Sequence, residues 1–96
     1  MELVIFARFH ARQGCENDVR RVIEAVLPHT RKEPGCLGAR LFQSIKDARL
    51  LFIHSHWRDE AAFDAHGAMP YTIEFVDAVV PLIDHEMDVA RTAAIS

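Results

Sequence analysis

Residues 2–12 begin as a continuous apolar run and pass into alternation, with Ile5, Ala7 and Phe9 on one face and Phe6, Arg8 and His10 on the other. This is the period of a β-strand with two largely apolar faces. Gln13-Gly14 interrupts it, and from Cys15 the apolar positions Val19, Val22, Ile23 and Val26 follow at offsets of 4, 7, 8 and 11, which predicts an amphipathic helix. Glu16 and Asp18 in its first turn and Arg31-Lys32 near its end suit the helix dipole. Glu33-Pro34-Gly35 stops it, and Pro28 within it predicts a kink or the loss of one hydrogen bond. Residues 36–45 and 49–57 alternate with period two and are joined by Lys46-Asp47-Ala48, a hairpin linker. Asp59 is placed to cap a short helix that ends at Gly67, and Pro70 opens another whose stripe is Tyr71, Phe75, Val76, Val79, Val80, Leu82 and Ile83. Weak alternation over 84–93 predicts a closing strand.

The order β-α-β-β-α-β is the ferredoxin-like unit, an α+β fold whose two crossovers put both helices on one face of an antiparallel sheet of order 4-1-3-2. The other face would carry too much apolar surface for a soluble monomer, because the strands offer apolar residues to both sides, as in Leu41 and Phe42 or Phe52 and Ile53. A second sheet is expected to cover it, giving a homodimer of the dimeric α+β barrel type. At 96 residues the chain, 1–96, fits one domain, and 50% hydrophobic with 26% charged residues describes a folded protein rather than a disordered one. A net charge of −3 argues against nucleic acid as a partner, and the apolar runs are too short to span a membrane. Glu2 stands where a secretory leader would carry a base, so the expected location is cytoplasmic. Cys15 and Cys36 flank the first helix, which at ~1.5 Å per residue holds them far beyond the roughly 7 Å limit for a disulfide; both are expected as free thiols.

Three stretches carry a family resemblance: Glu33-Pro34-Gly35-Cys36-Leu37, the strand ending in His56-Trp57, and Asp59-Glu60-Ala61-Ala62-Phe63-Asp64-Ala65-His66 ahead of Pro70 and an apolar helix. With them the chain, from Leu3 to about Ala93, closely resembles the antibiotic biosynthesis monooxygenase superfamily, and within it the quinol monooxygenase branch. The resemblance implies a shared scaffold with varied chemistry: cofactor-independent oxygenation of a quinol or polycyclic phenol, haem degradation, or isomerisation of a signalling sugar. The haem-degrading branch carries an Asn, a Trp and a His where this chain has Ala7, His66 and Val76, so that activity is disfavoured.

Cofactor-free oxygenation asks for an apolar pocket, a base for a phenolic proton and exclusion of water. The expected partners are then a small aromatic substrate and dioxygen, with no cofactor and no metal. His66 is the candidate base and Trp57 the candidate stacking residue, against the alternatives of a helix-end histidine and a core anchor. Tyr71 and Phe63 are candidate substrate contacts, with Phe6 and Phe52 as further possible walls. Arg8 and Arg40 are candidates to hold an anionic or carbonyl-bearing ligand, or else to form salt bridges across the dimer to Glu2, Glu86 or Asp88. His54 and His56 share a strand face and His10 lies at the far end near His85, two separate pairs that argue against a metal cluster. His29 reads as a surface residue. The alternatives on the same scaffold are a small-molecule isomerase or binding protein, and a dimeric module without turnover.

Overall fold

The computed structural model describes residues 1–96. Its elements are β1 (Leu3–His10), α1 (Glu16–Arg31), β2 (Cys36–Gln43), β3 (Leu50–Trp57), α2 (Glu60–Gly67), α3 (Pro70–Val79) and β4 (Asp88–Thr92). The sheet order is β2-β3-β1-β4, with every neighbouring pair antiparallel, which is the ferredoxin-like arrangement anticipated from the pattern. No helix is long and apolar enough to cross a membrane, and both cysteines are free.

Local chemistry explains where the elements start and stop. Gly14, at φ 84°, makes the left-handed turn from β1 into α1. α1 continues through Pro28, whose missing N–H leaves the Glu24 carbonyl without its usual partner four residues on. The Asp59 side chain accepts from the Ala62 amide at 2.8 Å and caps α2. α3 is shorter than its apolar stripe predicts: Pro81 has no amide to donate, and the chain tightens into a 3-10 turn over Val80–Leu82. β4 is also shorter than predicted. Asp84 donates its amide to the His10 carbonyl at 3.1 Å and turns the chain there, so the ladder against β1 begins only at Asp88.

Register decides which side chains face the helices. Leu3, Ile5, Ala7 and Phe9 of β1, Leu51, Ser55 and Trp57 of β3 and Ala39 of β2 are buried beneath α1, α2 and α3. Their core partners from the helices and the β4 approach include Val19, Ile23, Leu27, Val79 and Ile83. The opposite face is bare in a single chain: Phe6 is 50% and Phe42 41% exposed there, with Val4 and Phe52 beside them and Arg8, Arg40, His54 and His56 among them. Phe6 and Phe52 therefore wall no pocket beneath the helices.

The two histidine pairs lie at opposite ends of the sheet. His54 and His56 sit across from Phe6 and Val4, whereas the His10 amide donates to His85 Nε2 at 2.7 Å. His10 is clasped between Asp84, 2.8 Å from Nδ1, and Asp47, 3.2 Å from Nε2. The Arg49 amide, then the His10 ring, hold the Asp47 carboxyl below its ordinary 3.8, and the His10 ring does the same for Asp84. This clasp joins the β2–β3 hairpin to the approach of β4. No three His, Cys, Asp or Glu side chains gather in a metal-binding arrangement.

Candidate active site

The Glu33-Pro34-Gly35-Cys36 junction does more than end α1. Pro34 cannot continue the helix, and the Cys36 amide folds back to the Glu33 carbonyl at 3.0 Å. Gly35 lies against α2 so closely that a Cβ there would collide with the Cβ of Ala62. With Gly35 in that place α2 can settle over the sheet, and the Glu33 side chain turns inward beneath it.

Glu33 is the buried charge of the site, its side chain only 6% exposed. One carboxylate oxygen, Oε2, accepts from the Tyr71 hydroxyl at 2.6 Å and lies 2.7 Å from His66 Nδ1. A carboxylate can only accept, so Nδ1 carries the proton and Nε2 is left as the basic nitrogen of the ring. Thr72 Oγ1 stands 3.4 Å from the same Nδ1. A buried carboxylate is costly unless hydrogen-bonded, and here two donors on α2 and α3 converge on it from a junction far away in sequence.

Tyr71 responds in the opposite sense to an activated phenol. Burial first, then its hydrogen bond to Glu33 and the nearby negative charge, push its pKa up to about 12. The hydroxyl stays a donor through neutral pH. Because Tyr71 is the single tyrosine of the chain, phenolate absorbance can follow it alone. Its midpoint is expected near pH 12, and Glu33→Gln should lower it only part of the way toward the ordinary 10, because burial, the larger cause, remains. A midpoint that does not move in Glu33→Gln would dismiss the bond. The raised value also favours the folded state below pH 10, an advantage lost as the pH climbs from 10 toward about 12.

His66 lines two adjoining hollows between sheet and helices. The larger, about 160 Å³, has apolar walls from Ile5, Ala7, Phe9, Phe63, Phe75 and Val76, with Met87 and Val89 on its β4 side and Ser55, His66 and Thr72 as its polar side chains. The smaller, about 40 Å³, runs toward α1 past Val26, Leu27, Thr30 and Trp57. Ala7 and Val76, two of the positions that distinguish the haem-degrading branch, are thus apolar walls of the larger hollow.

The residues named from sequence divide in space. His66 and Phe63 both line the larger hollow. Trp57 does not reach it: the indole is wholly buried, donates to Ser55 Oγ at 2.9 Å, and packs against the His66 ring with centroids 4.8 Å apart. Tyr71 turns its hydroxyl to Glu33 rather than to the hollow, and its ring stacks on the exposed His29 at 5.2 Å. Arg8 and Arg40 are not part of this site, because strand alternation puts both on the bare sheet face. Arg8 pairs within its own chain with Asp88, its register partner, at 3.9 Å. Arg40 lies over the Phe42 ring at 5.0 Å.

Glu33, Ser55 and Thr72 are the site residues that sequence reasoning missed. Glu33 stood inside the most specific motif but read only as a helix stop. Ser55 had a legible signal, one polar residue in the inward row Leu51, Ile53, Ser55, Trp57. Thr72 had none. Behind the site, Arg91 of β4 covers the Phe63 ring at 4.9 Å and bonds Asp64 at 2.8 Å and Glu60 at 3.2 Å, tying α2 to the sheet. These carboxylates, Asp64 foremost, raise the guanidinium pKa further.

The model of a family described as antibiotic biosynthesis monooxygenase matches residues 3–78. A Mycobacterium tuberculosis protein named "Putative monooxygenase Rv0793" is 26% identical over 91 residues, covering 95% of this chain and 89% of its own. The structure of Rv0793 superposes with a TM-score of 0.94 at 24% identity, over 100% of this chain and 97% of that one. A Pseudomonas aeruginosa structure gives 0.91 at 24% identity, covering 99% and 95%. At such identities the two superpositions show the fold, while the family match runs from β1 through most of α3. The chain belongs to the antibiotic biosynthesis monooxygenase family.

Proposed function

We propose that the protein is a cofactor-independent monooxygenase that oxidises a quinol with dioxygen in the hollow beside His66. The observation that carries this reading is an apolar chamber in which the one ionisable wall residue, His66, is held by a buried carboxylate. The family's monooxygenase description supports the reaction class. About 160 Å³ is below the roughly 300–1,000 Å³ of drug-sized ligand sites, so size favours a single-ring quinol over a polycyclic phenol.

In this mechanism His66 Nε2 takes the phenolic proton, and Glu33 steadies the imidazolium that forms, as a carboxylate orients and stabilises the histidine of a catalytic triad. The electron-rich quinolate then reduces dioxygen. One oxygen atom ends on the ring and the other leaves as water, so that quinol and O₂ give hydroxyquinone and H₂O. Apolar walls keep water from the intermediate. Phe63 is a wall for the ring, and Trp57 and Tyr71 are positioning residues, one behind His66 and one on Glu33. The bare sheet face, with Phe6 and Phe42 half open to solvent, is assigned to a second copy of the chain.

The test is oxygen uptake by purified, metal- and flavin-stripped protein over a panel of single-ring quinols, with autoxidation subtracted and the mass measured by light scattering. Uptake with stoichiometric hydroxyquinone from a species of twice 10.9 kDa is expected. No uptake across the panel would overturn the oxygenase reading in favour of an isomerase, a binding protein or a non-catalytic module. A mass near 10.9 kDa would remove the dimer.

A further inference from the structure

A cleft away from His66 has a different character. It lies between the outer side of α1 and the edge strand β2, encloses about 350 Å³, and is lined by Arg20, Glu24, Leu27, Arg31, Arg40 and Leu41. In a chain whose net charge is −3, three arginines face one carboxylate here. That carboxylate is already engaged: Glu24 accepts from Arg20 Nε at 2.9 Å. Arg31 uses only its Nε, donating to the Ala39 carbonyl at 2.9 Å, which anchors the guanidinium over β2 and leaves its terminal N–H groups unused. Arg40 emerges from the bare face, rests on Phe42 and has no carboxylate partner.

The backbone adds a donor. β2 is an edge strand, and the Ser44 amide points inward to the Leu50 carbonyl. Amides alternate in direction along an antiparallel strand, so those of Ala39 and Leu41 point away from β3, toward the side where Arg31 meets the Ala39 carbonyl. The free terminal N–H groups of Arg31, the Arg40 side chain on the cleft wall and an outward amide match the oxygens of a tetrahedral or planar oxyanion, which arginine can hold bidentately.

We infer that this cleft is a binding site for a small dianionic molecule bearing a phosphate or carboxylate group, held by Arg31, Arg40 and the Leu41 amide. The site is independent of the oxygenase reading. Arg20 completes the positive rim, and Glu24 sets an upper limit on affinity by opposing the anion.

The test is a ¹H–¹⁵N NMR titration of the whole chain at low ionic strength with inorganic phosphate and, separately, with succinate, using sodium chloride of matched ionic strength as reference. Saturable shifts at the Leu41 amide and the Arg31 and Arg40 Nε–H groups are expected. Saturation by phosphate alone assigns a phosphate ester, and saturation by succinate alone assigns a dicarboxylate. Arg40→Gln should weaken binding about tenfold, the scale of one charge-assisted hydrogen bond, with the mass by light scattering unchanged, because Arg40 rests on Phe42 of the face assigned to the second copy. Glu24→Gln should tighten it. Shifts that stay linear and match those from chloride would overturn the site, as would an affinity unchanged in Arg40→Gln.

Discussion

His66→Ala is expected to lower quinol turnover by roughly 10² to 10⁴-fold, the contribution of a positioned general base. The tautomer of the ring decides this. Glu33 accepts from Nδ1 at 2.7 Å, so the nitrogen left for chemistry is Nε2, on a ring that lines the apolar hollow. Glu33→Gln keeps the shape but offers an amide that can present its donor end to the ring, releasing the tautomer and the charge that steadies imidazolium. Its loss should fall on kcat, with KM little changed, because Glu33 is screened from substrate by His66. Tyr71→Phe should cost less than either, since it removes one donor to Glu33 and leaves His66 bonded. Turnover in His66→Ala equal to that of the parent would assign the proton to another group. Turnover in Glu33→Gln equal to the parent's, with His66→Ala inactive, would leave the base and remove the relay.

Trp57→Ala is expected to destabilise the fold by about 3–5 kcal/mol, the range for deleting a large aromatic side chain from a core. Trp57 is wholly buried, in a small cluster with Leu3 and Ile5, and its ring meets Phe63 edge-on at 5.6 Å as well as His66. The deletion also leaves Ser55 Oγ without its donor in a buried place. Domains of this size have roughly 5–15 kcal/mol in total, so the variant should unfold near or below physiological temperature. Urea unfolding measures the loss, and Trp57→Phe should recover most of it by refilling the volume. A loss under about 1 kcal/mol would show that the indole is no anchor.

The two experiments separate roles that look alike in one dimension. His66 and Trp57 stand nine positions apart, in a motif quoted as a unit, and both invite a catalytic reading. The difference is burial. Trp57 is at the last inward position of β3, where alternation sends it beneath α2; His66 is one residue from the end of α2, where its ring meets the hollow.

Much of the fold was legible because it depends on local, periodic chemistry. Alternation in β1 and β3 separated the inward residues Ile5, Ala7 and Phe9 from Phe6, Arg8 and His10. The spacing of Val19, Ile23 and Val26 named the buried side of α1, and Asp59 and Pro70 marked helix starts through their own side chains. Element ends were less legible, as at α3, where Pro81 outweighed a continuing apolar stripe, and at β4, where the His10–Asp84 clasp took residues that alternation had given to the strand. Of the site, His66 and Phe63 could be placed on one short helix and at one cavity wall. Their company could not. Alternation leaves Arg8 and Arg40 open between a pocket and a salt bridge, because which strand face is inward is settled only by where the helices pack.

By itself, then, the sequence determined the order of elements, the sheet topology, two apolar strand faces and the family, all carried by periodicity, capping and contiguous motifs within a few residues of one another. Tertiary structure alone decided that Glu33, His66 and Tyr71 meet on one carboxylate oxygen, and that Arg31 and Arg40 share a cleft. Those partners lie 33 and 38 residues apart in the first case and nine in the second. Such pairings follow from crossover geometry and from the close approach that Gly35 allows α2, neither of which is written in any local pattern.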